Sequence, residues 1–449
     1  MVDPLAPEIF KLVQPDAPSP DGAKLGFILS ELSAREVEEG GPYYVFLGKE
    51  EVLDFGFNLG VSLLLRKWGV QLPRLEAYLN SFLEKGLPVS EILSSDELNI
   101  FLKLHGSLLT PTNNKSQGTL TQTEELIFSL IRKLMDERFA RLPSSFAESA
   151  KYVMERTIKG NPDKQMSLMS LYTKEALGEN APNISDPQIA QLGLANIFFW
   201  TAFIIYDDFW DIDEAAEPKL LPVANLFARH YINFFTSSDS GEENFRTFFN
   251  EYMDKLDSAN EWEMLNCRML IDNQKLLLPT NLPDYGNFGI KFYPASGHIF
   301  GPVKILLDAG YKLDSVEVKL IIEYFRGYLI AMQLNDDAHD WKEDLSRGHI
   351  STAVYLILRN WRQNFPNTHE IDLEKDMPEL ERMFWFDILP ELCESIFEYC
   401  DEAQKALDEI SCMPNPAPLQ KFIDRNRVAA EQALLEQRQS VEILESLRY

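Results

Sequence analysis

The sequence predicts an all-α fold, a large helical bundle preceded by a small N-terminal region. Three observations carry that prediction. From about residue 122 onward, apolar residues recur at i, i+3 and i+4 over long segments. These segments are separated by short breaks rich in Gly and Pro, at 160–162, 178–180, 279–283, 294–297 and 414–418. Period-2 alternation is scarce, so few strands are expected.

Residues 110–121 read as a linker. They open with Thr110-Pro111-Thr112-Asn113-Asn114, are polar and rich in turn formers, and carry no apolar period. The linker divides an N-terminal region, 1–109, from the helical part, 122–449. Within the N-terminal region, Tyr43-Tyr44-Val45-Phe46-Leu47 reads as a short strand, and helical patterns cover 50–68 and 73–85. It holds no chemical motif. The expected role is packing on the helical part or mediating association, a homodimer included.

Composition narrows the function. The 449 residues include 45% hydrophobic and 12% aromatic side chains, enough for a sizeable core. The formal charge is −28, from 70 acidic against 42 basic residues, and that field repels nucleic acid. An acidic protein that takes an anionic substrate needs bridging cations. No transmembrane helix and no signal peptide are predicted; the chain opens Met1-Val2-Asp3-Pro4. The four cysteines, Cys267, Cys393, Cys400 and Cys412, form no Cys-x-x-Cys pair. A reduced, cytoplasmic setting is expected.

Two acidic motifs carry the chemistry. The first, Asp207-Asp208-Phe209-Trp210-Asp211, ends a strongly apolar run from Ile197 to Tyr206. Asp207 and Asp211 stand at i, i+4 and share a helix face. The second lies within Gln333-Leu334-Asn335-Asp336-Asp337-Ala338-His339-Asp340, continuing to Asp344. Asp336, Asp340 and Asp344 fall at i, i+4, i+8 on one face. Stacked carboxylates repel one another, and hard cations such as Mg²⁺, which take oxygen ligands, relieve that cost. Two facing acidic helices can hold Mg²⁺ around a diphosphate, neutralise it as a leaving group and let its C–O bond break. The apolar interior of a bundle then shields a carbocation from water.

With these residues in view, the chain resembles the class I isoprenoid synthase superfamily, and within it the trans-isoprenyl diphosphate synthases, from about residue 125 to the C-terminus. Asp207, Asp208 and Asp211 match the first Asp-rich motif of that family. Gln333, Asp336, Asp337 and Asp340 match its Gln-x-x-Asp-Asp-x-x-Asp motif, with Asp344 one turn on. Lys291 resembles the diphosphate-contacting lysine, and the segment ending Glu175-Ala176-Leu177-Gly178 resembles an early family helix. Arg448-Tyr449 is similar to a pair that closes over diphosphate in terpene synthases. The resemblance implies a terpenoid synthase bundle and Mg²⁺ as cofactor, three ions expected and Mn²⁺ able to substitute. Its implied catalytic carboxylates are Asp207, Asp208, Asp211, Asp336 and Asp340, with Asp337 and Asp344 added as metal ligands. Its implied substrate contacts are Lys291, Gln333, Lys164 and Arg347, with Phe203 and Tyr206 among the aromatic residues near the first motif.

Departures from the family pattern shape the functional expectation. Elongating synthases carry a basic Gly-Gly-Lys-Arg-x-Arg-Pro run that holds a second diphosphate. Here the matching stretch is Asn161-Pro162-Asp163-Lys164-Gln165-Met166-Ser167, with Lys164 kept and Met166 where an arginine is usual. The Arg-Arg pair after the first motif is replaced by the acidic run Ile212-Asp213-Glu214. The expected function is therefore a terpene synthase that ionises a linear prenyl diphosphate and cyclises or rearranges the cation. The alternative is a chain-elongating prenyltransferase. A further alternative is a non-catalytic partner subunit, against which the full set of carboxylates argues.

Overall fold

The computed structural model describes residues 120–160, 164–181, 183–210, 216–236 and 243–446. The N-terminal region, most of the linker, Asp211, the run 212–215 and Arg448-Tyr449 lie outside the described residues. The described residues fall into two units. One takes in residues 115–373 and 391–430; the other includes 374–390 and the chain from 431 onward.

The larger unit is a helical bundle, as its periodicity requires. Helix α1, Gln122–Phe139, starts at a capping box: Glu124 N donates to Thr121 Oγ1 (3.2 Å) and Thr121 N to Glu124 Oε2 (2.7 Å). Its buried side chains, Ile127, Ile131, Met135 and Phe139, are four residues apart and form one stripe. Helices α2, Ser144–Gly160, and α3, Gln165–Leu177, follow. Helix α4, Asp186–Trp210, is the central helix; it packs against α1, α2, α3 and α5, Leu221–Thr236. Helix α6, Glu243–Asn266, leads into two three-residue strands, β1 (Leu270–Asp272) and β2 (Lys275–Leu277). After a loop come α7, Phe292–Ala295, and α8, Phe300–Asp308, then the long α9, Val316–Arg347. Helix α10, Thr352–Asn364, precedes strand β3, Glu370–Asp372.

The smaller unit holds α11, Met377–Met383, which runs through a π turn at Phe384–Ile388 into α12, Leu389–Glu409. Gln437, near the end of α13 (Ala417–Ser446), donates through Nε2 to Trp385 O at 3.1 Å within that unit. Helices α12 and α13 therefore belong to both units along their length.

Two features depart from the sequence-based expectation. The antiparallel order β1-β2-β3, with Leu276 opposite Ile271 and Ile371, was not foreseen. Strands of three residues are too short for alternation to register. In addition, α4 is long and apolar enough to cross a membrane, contrary to the expectation that no such segment exists; 72% of its most apolar stretch is buried inside the bundle. Its apolar residues face neighbouring helices on all sides, which is what a helix hydrophobic all round requires. All four cysteines are free and buried.

Close approach of α3 to α4 depends on Gly193. A Cβ there would stand 2.3 Å from Ser167 O and 2.7 Å from Ile131 Cδ1. We expect Gly193→Ala to lower stability by about 1–3 kcal/mol, because a backbone carbonyl cannot step aside. That loss exceeds the roughly 1 kcal/mol that alanine gains in helix propensity. Urea unfolding measures it; an unchanged midpoint would mean that α3 yields freely.

Candidate functional site

The second acidic motif sits in the last third of α9. The buried side chains of this stretch are Leu334, Asp337, Trp341 and Leu345, a stripe spaced by three or four residues. Asp337 is thus the one carboxylate of the motif on the core face. It is 8% exposed and meets the buried Lys291, whose Nζ lies 3.2 Å from Oδ2 and 3.3 Å from Oδ1. Asp337 Oδ2 also accepts a 2.9 Å bond from the backbone N–H of Thr352, at the start of α10. Asp337, expected among the metal ligands, thus has its oxygens on an internal cation and a helix N-terminus. Lys291, expected to face a diphosphate, is held by the same pair.

Burial by itself would lower the Lys291 pKa. The Asp337 and Glu263 carboxylates outweigh it and hold the amine above its ordinary value. Glu263, on α6, would be raised by burial, but Lys291 and then His349 bring it down to about 2. His349 would likewise be lowered by burial, yet its bonds to Asp344 and Glu263 raise it to about 9. Its Nε2 is 2.7 Å from Glu263 Oε1, and its Nδ1 3.4 Å from Asp344 Oδ1. Asp344, expected to be a metal ligand, is therefore turned toward His349.

Local sequence explains how His349 gets there. Gly348 ends α9 in the left-handed conformation at φ 74°, where a Cβ would lie 2.5 Å from Met269 O. The chain then pairs with the segment after α6: Met269 N donates to Gly348 O (2.7 Å) and Ile350 N to Cys267 O (2.9 Å). Between these bonds Arg268 and His349 stand opposite each other. Arg268 Nη2 lies 3.4 Å from Trp210 O, at the last turn of α4. One arginine thus joins the end of the first-motif helix to the end of the second.

Asp336 and Asp340 lie on the open face of α9, with solvent-exposed side chains. Their surroundings are still crowded. Partial desolvation, followed by the Asp340 and Asp337 charges, raises Asp336 to about 6. Desolvation, followed by Asp344 and Glu343, raises Asp340. In the first motif Asp207 is exposed, and Asp208 Oδ2 is 3.6 Å from Arg156 Nη2 of α2. Among the described residues no three acidic, His or Cys side chains cluster closely enough to hold a metal by themselves. This arrangement fits Mg²⁺, which is commonly held by one or two carboxylates together with substrate phosphates rather than by a protein cage. Desolvation first and neighbouring carboxylates second raise Asp336 and Asp340, and a bound cation would offset both.

The remaining expected residues are placed as follows. Lys164 caps α3 with a left-handed backbone (φ 54°), its Nζ 3.4 Å from Ile158 O. Gln333 is half-buried on α9, and Arg347 pairs with Glu343 at 2.5 Å. Phe203 contacts Phe199, Tyr206 and Trp210, and Tyr206 donates to Asn225 Oδ1 at 2.8 Å. His298 is buried, its Nδ1 3.3 Å from Asn196 Nδ2. Sequence reasoning missed Glu263, Arg268 and Arg156, because each reaches the motifs from another helix or turn. The burial of Asp337 had a readable signal: it stands three residues after Leu334 and four before Trp341.

No protein-family profile matches the chain, and no curated protein matches it. Solved structures do. A geranylgeranyl pyrophosphate synthase from Lactobacillus brevis ATCC 367 is similar over 70% of this chain and 98% of its own, at 14% identity and a TM-score of 0.51. A geranylgeranyl pyrophosphate synthetase from the archaeon Geoglobus acetivorans aligns over 67% and 98%, at 14% identity and a TM-score of 0.46. The chain has an isoprenoid synthase-like helical fold.

Neighbouring aspartates should respond oppositely to removal. Asp337→Ala leaves Lys291 buried without its partner, and we expect a loss of about 3–5 kcal/mol. Asp336→Ala removes a repelled carboxylate and should leave the melting temperature level or raised. Thermal unfolding of both variants without Mg²⁺ tests this, and equal losses would refute the inward placement of Asp337.

The pH response follows from His349. Its folded pKa lies above the unfolded value, so its contribution is complete below pH 6.5 and is lost as pH rises toward 9. We expect the melting temperature to fall over that window and to fall less in His349→Gln. Parallel curves would dismiss the assignment.

Proposed function

We propose that this protein is a prenyl diphosphate-using enzyme that abstracts diphosphate from a linear allylic substrate. The observation that carries the reading is the pairing of two acidic motifs on α4 and α9 with this fold. Asp336 and Asp340 stay open while their neighbour Asp337 is locked inward. Asp207 and Asp208, with Asp211 in the same motif, would share the metal with them. Bound Mg²⁺ would supply charge neutralisation of the leaving diphosphate. The aromatic side chains Phe203, Tyr206 and Trp210 offer ring faces that stabilise a cation.

Between the two outcomes for the cation, transfer to an acceptor diphosphate has the better support. The similar L. brevis structure is that of a geranylgeranyl pyrophosphate synthase. The fold also brings cations to the stretch that looked depleted in sequence. Arg156 stands beside Asp208, and Arg425 Nη2 bonds Gln165 Oε1 at 2.7 Å, next to Lys164. Cyclisation without an acceptor keeps its own support in Met166 and in the acidic run Asp213-Glu214.

Incubation with geranyl, farnesyl or geranylgeranyl diphosphate and Mg²⁺, with and without isopentenyl diphosphate, separates the outcomes. We expect longer prenyl diphosphates only when the acceptor is present, and a loss of roughly a thousandfold in rate for Asp336→Ala. A hexane-soluble terpene formed without acceptor would instead establish the cyclase. Absence of diphosphate release from every substrate would reject prenyl diphosphate chemistry altogether.

A further inference from the structure

A second site lies on the far side of α4. A cavity of about 50 Å³ opens between α1, α4 and α5, walled by Leu134, Leu194, Ala195, Phe198 and Phe234. Arg138 and His230 stand at its polar side. Phe198 and Asp207 are nine residues apart, about two and a half turns at 3.6 residues per turn, so they occupy opposite faces of α4. The cavity is therefore separate from the acidic motifs.

The polar side of this cavity is unusual for a chain of charge −28. Arg138 Nη1 lies 3.1 Å from His230 Nδ1, and its guanidinium sits 5.8 Å from the centre of the Phe198 ring. A guanidinium only donates, so Nδ1 accepts and the imidazole carries its proton on Nε2. His230 stacks on Phe198 at 5.4 Å. Burial, then Arg138 and Arg229, hold the His230 pKa below its ordinary value, and burial, then Arg141, lower that of Arg138. Every charged neighbour that shifts these two groups is a cation. Among the described residues Arg138 has no carboxylate partner. Arg132, on the same helix, does pair with an acid, Glu155, at 2.6 Å.

We propose that this cavity binds a small monocarboxylate bearing a short apolar tail, with Arg138 gripping the carboxylate and the walls of Leu194, Phe198 and Phe234 covering the hydrocarbon. The planar fork of an arginine matches a carboxylate in two parallel bonds. The His230 Nε2–H adds a neutral donor. The volume holds roughly three or four water-sized groups, which suits a carboxylate with one or two carbons inside and the rest of the tail in the open mouth. A multiply charged inorganic anion would meet a wall that is mostly hydrocarbon.

The test is isothermal titration of the full chain with butyrate, benzoate and inorganic phosphate. Arg138→Gln removes the cation. Gln191→Trp, at an exposed position on the rim, fills the cleft and keeps every charge. We expect saturable binding of butyrate and benzoate, weakened about tenfold or more by each variant, and phosphate at least about tenfold weaker than benzoate. Unchanged melting temperatures of the ligand-free variants confirm that the bundle is intact. Absence of saturable carboxylate binding, equal binding in Gln191→Trp, or phosphate as the tighter ligand would overturn the proposal.

Discussion

A lysine ammonium buried in a helical bundle is tolerable only if its charge is answered, and the answer at Lys291 organises the surrounding structure. Asp337 meets it directly, and Glu263 acts on it through the field. Each carboxylate then takes a second partner: the N-terminus of α10 for Asp337, and His349 for Glu263. Four chain segments are thereby fixed in one charge-balanced cluster: α6, the turn ending at Lys291, the end of α9 and the start of α10. Buried ion pairs contribute little net stability against a hydrophobic alternative. Their value here is positional, since none of the four segments can shift without stranding a charge.

That fixed cluster lets the open carboxylates remain strained. Asp336 and Asp340 are raised by desolvation and, after it, by the charges of neighbouring carboxylates. Left to itself, a surface helix would relax such repulsion by fraying or by recruiting lysines. The helix does not yield, because its opposite face is anchored through Asp337 and capped at Gly348. The strain is thus available to an incoming cation, in a chain whose charge of −28 already favours cations over anions.

How much of this could be read from sequence depends on the range of the interaction. The helical bundle was legible because its signals are local: the i, i+3, i+4 apolar spacing from about residue 122 and the Gly- and Pro-bearing breaks between helices. The carboxylate motifs were legible for the same reason, since i, i+4 spacing lies within one helix. The partners of those motifs were not. Glu263 and His349 are 86 residues apart, and Arg268 reaches Trp210 across 58. No period or spacing encodes such encounters. Around Lys164 the same holds: Arg425, 260 residues from Gln165 in sequence, reaches it from α13.

Asp336 and Asp337 show how finely one residue decides role. They share a charge, a size and a helix, and differ by about 100° of rotation. That rotation puts one carboxylate in line with Leu334 and Trp341 and the other with Asp340. The inward one is neutralised by protein, the outward one only by what the protein binds. A pair of adjacent aspartates on an amphipathic helix thus divides into a structural half and a ligand-facing half wherever one of them falls on the apolar stripe. For α9 the division has a chemical consequence. Lys291, being committed to Asp337 and Glu263, adds little positive charge to the open face. On the proposed function, a diphosphate arriving there would depend on metal ions for most of its neutralisation.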